Sequence, residues 1–410
     1  MKTYAIVGAS SRGMHMYAIP IARDFKDVAR IVGIYDPNHK RAELVKDKAG
    51  GNFPVYPSFE RLIQDVKPDV VLVTTIDSYH HYYIIKALEA GCDVITEKPM
   101  TIDEEKVNAI LEAEQRTGKK VTVTFNMRFM PFVKRMKELI KEGAIGSILS
   151  VHFEWFLDTR HGADYFRRWH RRKENSGGLL VHKSTHHFDV VNWLLEEEPE
   201  VISAFGTRRF YGPTRENRGQ RCLTCSYKNS CEFYFDIAEG AAGELYLQTE
   251  DVDQYYRDQC VFSDEIDIED SMSVSVKFTG GTIMSYSLTA HSPYEGFRLV
   301  LNGSGGRLEA DYFHGSIGPY AGQNITRLRL YNRHQEEITV HIPAVKGVHG
   351  GGDERLLQML IRGNMEDPLR QQASSWDGAM SNMIGIAANK SIKEGRRVRV
   401  DELIVRREPK

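Results

Sequence analysis

A cluster of titratable side chains lies between residues 182 and 189 of this 410-residue chain. Three histidines occur within six positions, at His182, His186 and His187, and Asp189 follows them. On one continuous helix, His182, His186 and Asp189 would share a face. An imidazole here can act as a general base, two can chelate a metal, and a solvated polar helix end is the third interpretation. Because residues 190–195 (VVNWLL) are mostly apolar, we expect a buried helix whose histidines need partners, which favours a functional site.

A lysine follows an apolar segment of the kind that forms a buried strand. Residues 93–96 (DVIT) precede Glu97, Lys98 and Pro99. If the strand is parallel to its neighbours, Lys98 lies at the carboxyl edge of the sheet, where ligands of open α/β sheets bind. A lysine there can donate to a substrate hydroxyl and stabilise a developing alkoxide. A surface lysine in a loop is the alternative, and it is the more common fate of lysine.

The first strand ends in a turn rich in small residues, Gly8 to Gly13 (GASSRG). Such a turn lets backbone N–H groups and a helix N-terminus face a pyrophosphate. The match to G-x-G-x-x-G is partial, because Ser10 replaces the middle glycine, and a plain glycine-rich turn is the alternative. Asp36 closes the next strand, where an acid binds the adenosine ribose. We therefore predict NAD, although the basic residues 39–41 (HKR) leave NADP possible.

Residues 158–170 mix charged and aromatic side chains (DTRHGADYFRRWH). Sugars present apolar C–H faces and many hydroxyls, so such a stretch can line a carbohydrate pocket through His161, Tyr165, Arg167 and Trp169. The basic run 167–173 could instead suggest nucleic acid. No basic domain or nucleic-acid module accompanies it, and a solvated loop is the simpler alternative.

Four of the five cysteines lie close together in sequence: Cys222, Cys225, Cys231 and Cys260. A C-x2-C pair can supply two corners of a tetrahedral zinc site. The surrounding segment, about residues 211–260, is long and polar, and a metal would stabilise it. We predict a structural zinc, with an iron–sulfur cluster, free thiols or a disulfide as alternatives.

Two folding patterns must position these groups. Residues 1–125 alternate short apolar strands with helices, which predicts a parallel, doubly wound Rossmann sheet. After residue 126, strands such as 271–278 alternate apolar and polar residues, which predicts a large, mostly antiparallel sheet. The expected fold is therefore α/β, with a dinucleotide-binding domain at 1–125 and an α+β substrate and oligomerisation domain at 126–410. The cysteine-rich segment at about 211–260 is an insertion in the second domain.

The global composition gives no sign of nucleic-acid or membrane binding. The formal net charge is −2, from 54 basic and 56 acidic residues. No apolar stretch approaches the roughly 18 residues that a membrane span requires. The N-terminus lacks the pattern of a secretory signal, so we expect a cytoplasmic protein.

Taken together, these motifs resemble the Gfo/Idh/MocA family of sugar and polyol dehydrogenases. The resemblance spans the whole architecture, with specific motifs between residues 4 and 195. The matching segments are the Gly8 loop, TIDSYH at 75–80, ALEAG at 87–91, EKP at 97–99, NMRF at 126–129, Gly177-Gly178 and HHFD at 186–189.

The resemblance implies an N-terminal Rossmann domain and a C-terminal domain whose open sheet often serves oligomerisation. It also implies that Lys98 and His186 correspond to the catalytic lysine and histidine of the family. His182 stands where the family often has aspartate, and Ser184 stands where it often has glycine. These departures make His182 a third candidate in catalysis.

The expected site residues form two further sets. Those expected at the cofactor are Gly8, Ser10, Ser11, Arg12, Gly13, Asp36, Thr75, Asp77, His80, Glu97, Lys98 and Asn126. Those expected at the substrate are Lys98, Arg128, His161, Tyr165, Arg167, Trp169, Lys183, His186 and Asp189.

The expected reaction is hydride transfer between the nicotinamide of NAD and a secondary hydroxyl of a sugar, sugar derivative or glycoside. An NAD-dependent glycosidase or lyase that works through a transient keto-sugar is one alternative. A sugar- or NAD-sensing regulator without catalysis is the other. A small carbohydrate is the expected substrate, and homo-oligomers are expected to form through the open sheet.

Overall fold

The computed structural model describes residues 1–315, 317–342 and 348–405. Five parallel strands form the core of a first sheet. They are Lys2–Val7 (β1), Ala29–Tyr35 (β2), Val70–Val73 (β3), Asp93–Thr96 (β4) and Val121–Val123 (β5). Every residue of β3 is buried, as expected for a strand covered on both faces. The order β5-β4-β3-β1-β2 confirms the doubly wound sheet.

Helices connect these strands and cover the sheet. They are Gly13–Ala18 continued by Ile19–Asp24, His39–Lys48, Phe59–Val66, His80–Glu89 and Glu104–Thr117. Side chains cap three of their N-termini, because Asn38, Ser58 and Asp103 each accept a backbone N–H three residues ahead. Gly118 ends the last helix in a left-handed conformation, as predicted for a glycine C-cap.

The second sheet is built mainly from the C-terminal half. Its strands are Ile148–Asp158 (β6), Pro199–Thr207 (β7), Ser271–Phe278 (β8), Ile283–Ser292 (β9), Glu295–Gly303 (β10), Gly306–His314 (β11), Ile325–Asn332 (β12) and Glu337–Val340 (β13). All neighbours pair antiparallel except β6 and β9, which run parallel. The alternation in β8 is confirmed: its apolar residues are buried and its polar residues are more exposed. A large, mostly antiparallel sheet is therefore present.

The remaining longer helices complete the structure. They are Pro131–Lys141, Thr159–Arg167, Lys173–Ser176, Leu179–His182, Thr185–Leu195, Gly352–Leu357 continued by Gln358–Arg362, and Ser375–Glu394. The longest, Ser375–Glu394, begins with a capping box between Ser374 and Asp377. In the described ranges, no helix is both long enough and apolar enough to cross a bilayer.

The chain returns to the first sheet after leaving it. Ala373–Ser374 (β14) pairs antiparallel with β5, and Val398–Arg399 (β15) pairs with β7 in the second sheet. Leu356, Leu357 and Met359 join the core around β1. The division expected at residue 125 stays a prediction. The structure adds that β14 covers the edge of β5 in the first sheet and that residues 356–361 pack in its core.

Three local features depart from a simple repeating pattern. Residues 53–56 form only a bridge, between Ile34 and Val55, because Pro54 has no N–H to donate. The continuous helix expected at 182–189 is interrupted at Lys183 and Ser184, between two helices. The insertion at 211–260 contains short turns of helix at 228–230, 241–245, 247–249 and 250–253.

Candidate functional site

The turn after β1 is too tightly packed for side chains at its two glycines. Gly8 has a φ of +97°, and a Cβ there would lie 2.7 Å from the backbone of Thr74. A Cβ on Gly13 would lie 2.7 Å from the Gly8 carbonyl oxygen. Ser10 fits the middle position because its hydroxyl turns inward, donates to the Thr74 carbonyl at 3.1 Å and accepts from Gly13 N–H at 3.0 Å. The partial glycine motif therefore still forms the tight turn that a pyrophosphate needs.

Asp36 connects the end of β2 to this turn. Its carboxylate accepts from the N–H groups of Ala9 and Asn38, both at 2.7 Å. Burial raises the pKa of Asp36, and these hydrogen bonds oppose the rise because they favour the charged carboxylate. The predicted ribose-binding acid therefore lies beside the predicted pyrophosphate loop.

A segment of the insertion also reaches this loop. We call residues 244–253 the strap. The Tyr246 hydroxyl in the strap accepts from Ser11 N–H at 3.0 Å. Asn38, just before helix His39–Lys48, donates to the Thr249 carbonyl at 2.8 Å. Nothing in the sequence pattern points to Tyr246, which lies more than 200 positions from the loop it contacts.

Arg12, Glu97 and Asn126 meet in one network, as their common assignment to the cofactor suggested. Arg12 Nε lies 2.8 Å from Glu97 Oε1, and its two Nη atoms lie 2.8 and 3.1 Å from the Asp353 carboxylate. Asn126 Nδ2 donates to the same carboxylate at 2.6 Å. Asn126 Oδ1 is buried and has no hydrogen-bond partner among the described residues. The sequence gives no signal for Asp353, which joins the network from the far end of the chain.

Lys98 lies at the carboxyl end of β4 and touches the histidine segment. Its Nζ donates to the His182 carbonyl at 3.0 Å. Burial lowers the pKa of Lys98 to about 8, and the nearby Asp77 carboxylate opposes this change. His182 Nδ1 lies 2.5 Å from Asp77 Oδ2, and both side chains are buried. Lys98, Asp77 and His182 thus form one polar cluster at the sheet edge.

His80 and Thr75, both predicted to lie at the cofactor, contact each other at the carboxyl edge of the first sheet. The ring nitrogens of His80 lie 2.9 Å from the Pro99 carbonyl and 3.1 Å from the Thr75 carbonyl. Burial lowers the pKa of His80, and the contacts of its ring with these two carbonyls oppose the change. His80 therefore holds the loops after β3 and β4 together, and its ring atoms are directed at backbone carbonyls.

The other side chains of the 182–189 segment lie in different surroundings, because the helix is interrupted at Lys183 and Ser184. His186 is buried and its ring faces Phe125, with centroids 6.0 Å apart. His187 stacks on Trp155 at 3.8 Å and lies 2.7 Å from the Tyr286 hydroxyl. The Lys183 ammonium lies over the Trp155 ring at 4.9 Å from its centroid. His187 therefore packs inside the second domain.

Aromatic side chains surround His182. Trp169 stacks on His170 with centroids 3.6 Å apart, and His170 meets the His182 ring edge-on at 4.2 Å. Tyr165 lies 5.5 Å from the same ring. The Tyr165 hydroxyl lies 3.0 Å from His161 Nε2. Three residues predicted to bind substrate, His161, Tyr165 and Trp169, are thus brought to the Lys98 cluster.

Glu295 completes this wall and carries no signal in the sequence. Its carboxylate lies 2.9 Å from His161 Nδ1 and accepts from Asp158 N–H at 2.9 Å. The neighbouring His161 and Lys183 lower the pKa of Glu295 against the opposing effect of its burial. Glu295 is therefore held as a carboxylate beside His161 and Lys183.

Two residues predicted to bind substrate are paired with each other instead. Arg128 Nε and Nη2 lie 2.8 and 2.6 Å from the two carboxylate oxygens of Asp189, and each side chain is 1% exposed. Arg128 also donates to the Arg370 carbonyl and contacts Asp377. The structure pairs Arg128 with Asp189 and does not bring either group to the Lys98 cluster, so their assignment to the substrate stays a prediction.

Arg167 is also directed away from the Lys98 cluster. Its Nη2 donates to the Phe233 carbonyl at 2.7 Å, and its Nη1 lies 3.4 Å from Cys222 Sγ. The guanidinium lies over the Phe235 ring, 5.4 Å from its centroid. Arg167 therefore contacts the insertion rather than the Lys98 cluster, and its assignment to the substrate stays a prediction.

The cysteines of the insertion, Cys222, Cys225, Cys231 and Cys260, line one cavity as free thiols. In the parts of the chain that the structure describes, no three His, Cys, Asp or Glu side chains form a group that could hold a metal ion. The predicted zinc site is therefore not supported.

Comparison with known proteins agrees with this architecture. The NAD-binding Rossmann-fold domain of one oxidoreductase family, GFO_IDH_MocA, matches residues 2–125, and the C-terminal alpha/beta domain of the same family matches residues 137–400. The putative oxidoreductase YteT of Bacillus subtilis strain 168 is 38% identical over 425 residues, covering 98% of this chain and 99% of that protein.

A relative with a more specific name and a solved structure extend the comparison. The scyllo-inositol 2-dehydrogenase (NAD(+)) of the same bacterium is 29% identical over 221 residues, covering 53% of this chain and 59% of its own. The crystal structure of the WlbA dehydrogenase from Bordetella pertussis, in complex with NADH and UDP-GlcNAcA, aligns with a TM-score of 0.66 at 17% identity. That alignment covers 97% of this chain and 98% of the WlbA chain and shows the shared fold. Since the two family domains together account for most of the sequence, the chain belongs to the Gfo/Idh/MocA oxidoreductase family and is a dehydrogenase that acts on CH–OH groups.

Proposed function

We propose that the enzyme transfers hydride between a secondary hydroxyl of a sugar, sugar derivative or glycoside and the nicotinamide of NAD. One observation carries this proposal. The Lys98 ammonium lies at the carboxyl end of β4, bonded to the His182 carbonyl and close to the His182–Asp77 pair. The glycine turn after β1 lies at the same edge of the first sheet. A dinucleotide in that turn would thus lie beside groups able to hold and deprotonate an alcohol.

The residues at this edge fit a nicotinamide dinucleotide. The packing around Gly8 and Gly13 admits no side chain at either position, so the turn is tight, as close approach of a pyrophosphate to its backbone requires. Asp36 offers a carboxylate for ribose hydroxyls. The buried Asn126 Oδ1, an acceptor without a partner among the described residues, suits an amide donor of a ligand. NAD, when bound, supplies the carbon that accepts the hydride.

Lys98 is assigned to the substrate oxygen. With its pKa lowered to about 8, this lysine remains mainly protonated at neutral pH and releases its proton more readily than a lysine in water. Its ammonium can donate to a hydroxyl and stabilise the negative charge that develops on that oxygen.

His186 is assigned as the group that takes the hydroxyl proton. It is buried at the start of helix Thr185–Leu195, and family resemblance supports this role. His182 is assigned as a positioning residue. The Asp77 carboxylate fixes its ring, and its carbonyl oxygen orients the Lys98 ammonium.

The wall around this cluster supports a carbohydrate substrate. Trp169 and Tyr165 offer apolar ring surface, whereas His161, Lys183 and Glu295 offer polar groups. Such a mixture suits the C–H faces and hydroxyls of a sugar. The inositol dehydrogenase among the relatives is named for a cyclic polyol, which agrees with this class.

A panel of sugars and glycosides, assayed with NAD by absorbance of the reduced cofactor, tests the proposal. We expect turnover with at least one sugar, and we expect Lys98→Met and His186→Ala to lower kcat about a hundredfold or more without weakening NADH binding. Loss of the His182 ring should shift the pH–rate profile. The matched control is Lys137→Met, which removes a buried lysine bonded to the Trp193 carbonyl and Glu196. It should lower stability and leave the kcat of the folded enzyme unchanged.

Different outcomes separate the alternatives. Turnover of simple hydroxy acids but of no sugar would contradict the substrate class. Release of an aglycone without net NADH would indicate the glycosidase or lyase alternative. Near-normal turnover in both Lys98→Met and His186→Ala would contradict the mechanism even though the fold is established.

A further inference from the structure

Two basic side chains follow Asp36 at the start of helix His39–Lys48. Lys40 and Arg41 lie within five positions of the acid assigned to the adenosine ribose. In dinucleotide-binding folds, an arginine near that acid accommodates the 2′-phosphate of NADP. The sequence alone therefore leaves both cofactors open at this edge.

The strap engages the guanidinium of Arg41. Arg41 Nη2 lies 2.9 Å from Asp253 Oδ2, and Arg41 Nε donates to the Leu245 carbonyl at 3.3 Å. The guanidinium also lies over the Tyr246 ring, 5.2 Å from its centroid. The Arg41 side chain is only 8% exposed. A phosphate would thus have to displace both a carboxylate and an aromatic cover to reach it.

Lys40 is neutralised by the same strap. Its Nζ lies 2.5 Å from Asp251 Oδ2, and both side chains are about half exposed. An exposed pair of this kind adds little to stability. It nevertheless places a carboxylate beside the second cation that an incoming phosphate would need.

The local charge is therefore unfavourable for an additional anion. The two charges of the buried pair change the pKa of Asp36 in opposite directions: Arg41 lowers it and Asp253 raises it. Each of the two cations, Lys40 and Arg41, already has a carboxylate partner in the strap, and Asp36 adds a third carboxylate beside them. A ribose hydroxyl can donate to Asp36, whereas a 2′-phosphate would meet like charge, and such repulsion is an effective source of specificity.

We propose that the strap determines cofactor selectivity: Asp251 and Asp253 hold Lys40 and Arg41 in ion pairs and thereby exclude the 2′-phosphate of NADP. This inference rests on the proposed NAD-dependent function. It assigns a specificity role to residues that lie more than 200 positions from the Rossmann motif in sequence.

The test compares the binding of NADH and NADPH by cofactor fluorescence in five proteins. These are the wild type, Asp251→Asn, the double variant Asp251→Asn with Asp253→Asn, the same double variant with Arg41→Gln, and Glu244→Gln. Glu244 is the matched control, because it joins the strap to the same helix at its far end, through Lys48 at 2.6 Å. Its loss removes one strap–helix ion pair and releases no cation beside Asp36.

We expect the double variant to bind NADPH about tenfold more tightly than the wild type, the scale of one charge-assisted phosphate contact, with little change for NADH. Adding Arg41→Gln should remove most of this gain. Glu244→Gln should leave the ratio of the two dissociation constants at the wild-type value. Asp251→Asn alone changes only an exposed pair, so it does not threaten folding, and it should give a smaller gain of about threefold.

Two results would overturn the inference while leaving the proposed function intact. One is an unchanged ratio of dissociation constants in both Asp variants that still bind NADH. The other is an equal gain in Glu244→Gln, which would show that any loosening of the strap admits NADPH. Failure of the wild type to bind either dinucleotide would instead overturn the proposed function, and this inference with it.

Discussion

Lys98 shows how much a single environment can change an ordinary side chain. Burial disfavours its charged form and lowers its pKa, and the neighbouring Asp77 carboxylate partly offsets this decrease. Its Nζ is held by the His182 carbonyl, so its direction is set before any substrate arrives. The result is a lysine whose protonation changes close to physiological pH.

The pH dependence of turnover follows from this shift. With a pKa of about 8, Lys98 is protonated below that pH and loses its charge above it. If the ammonium stabilises the alkoxide, kcat should fall as the pH rises through about 8. Lys98→Arg should remove this decline, whatever its residual activity, because arginine stays charged over the accessible range. Steady-state rates between pH 6 and about 10 give the measurement. The same decline in Lys98→Arg would assign it to another group.

Stability at different pH values provides an independent check on Lys98. Its pKa is lower in the folded chain than in the unfolded chain, so the folded state gives up its proton first as the pH rises. Burial of the charged ammonium therefore lowers the free energy of unfolding below about pH 8. This destabilisation is relieved as the pH rises from about 8 toward the pKa of the lysine in the unfolded chain. Lys98→Met should not lower the melting temperature at pH 7, whereas loss of a purely structural lysine would.

At the scale of elements, the buried pair of Arg128 and Asp189 joins the turn after β5 to helix Thr185–Leu195. Removing Arg128 leaves the buried Asp189 carboxylate without its partner, whereas removing the Asp189 charge leaves Arg128 in contact with Asp377. We expect Arg128→Met to lower the free energy of unfolding by about 3–5 kcal/mol and Asp189→Asn to lower it by less. KM for the substrate should stay close to normal in the protein that remains folded.

Chemical denaturation of each single variant and of the double variant measures this coupling. The double variant should lose less than the sum of the two single variants, because the two groups interact directly. A large change in KM with unchanged stability would support the assignment of these residues to the substrate.

The elements that repeat a simple period were predictable from sequence. The alternation of strands and helices predicts the first sheet. The alternation of Met272, Val274 and Val276 with polar residues predicts β8. Lys98 was placed correctly at a strand end because an apolar run and a turn mark that position. These features depend on neighbours in sequence, where propensity and periodicity act.

Contacts between distant segments were not predictable in this way. Tyr246 and Asp353 approach the glycine loop from more than 200 positions away, and no local pattern marks them. The segment 182–189 was expected to be one helix, but it is broken at Lys183 and Ser184, which turns His182 and His186 toward different neighbours. Arg128 and Asp189 satisfy each other, and composition alone cannot distinguish such a pair from two substrate ligands.

At the scale of the whole molecule, the outer face of the second sheet is the expected interface between copies of the chain. Phe205 on β7 is 78% exposed, and Ile283 on β9 is 58% exposed. Phe205 lies opposite Ser273 of β8, whose apolar neighbours point to the other face. A second sheet stacked on this face would cover apolar side chains that otherwise contact water.

We therefore expect the wild type to form a homo-oligomer and Phe205→Asp to weaken it, because a carboxylate would be buried without a partner. Sedimentation velocity over a range of concentrations measures both. Met365→Asp, at a position that is 49% exposed and away from the sheet, serves as the control and should not change the assembly. A monomeric wild type, or equal weakening by both substitutions, would contradict the expected interface.

The return of the chain to the first sheet has a consequence for how such proteins can be recombined. Residues 352–374 supply β14 and the Asp353 carboxylate that receives Arg12 and Asn126. A crossover at residue 125 alone would leave β5 with an open edge and Arg12 without that partner. The cofactor domain is thus built from two distant stretches of the chain, residues 1–125 and 352–374. The two stretches have to be inherited together, or exchanged together by design, for a transplanted cofactor domain to remain whole.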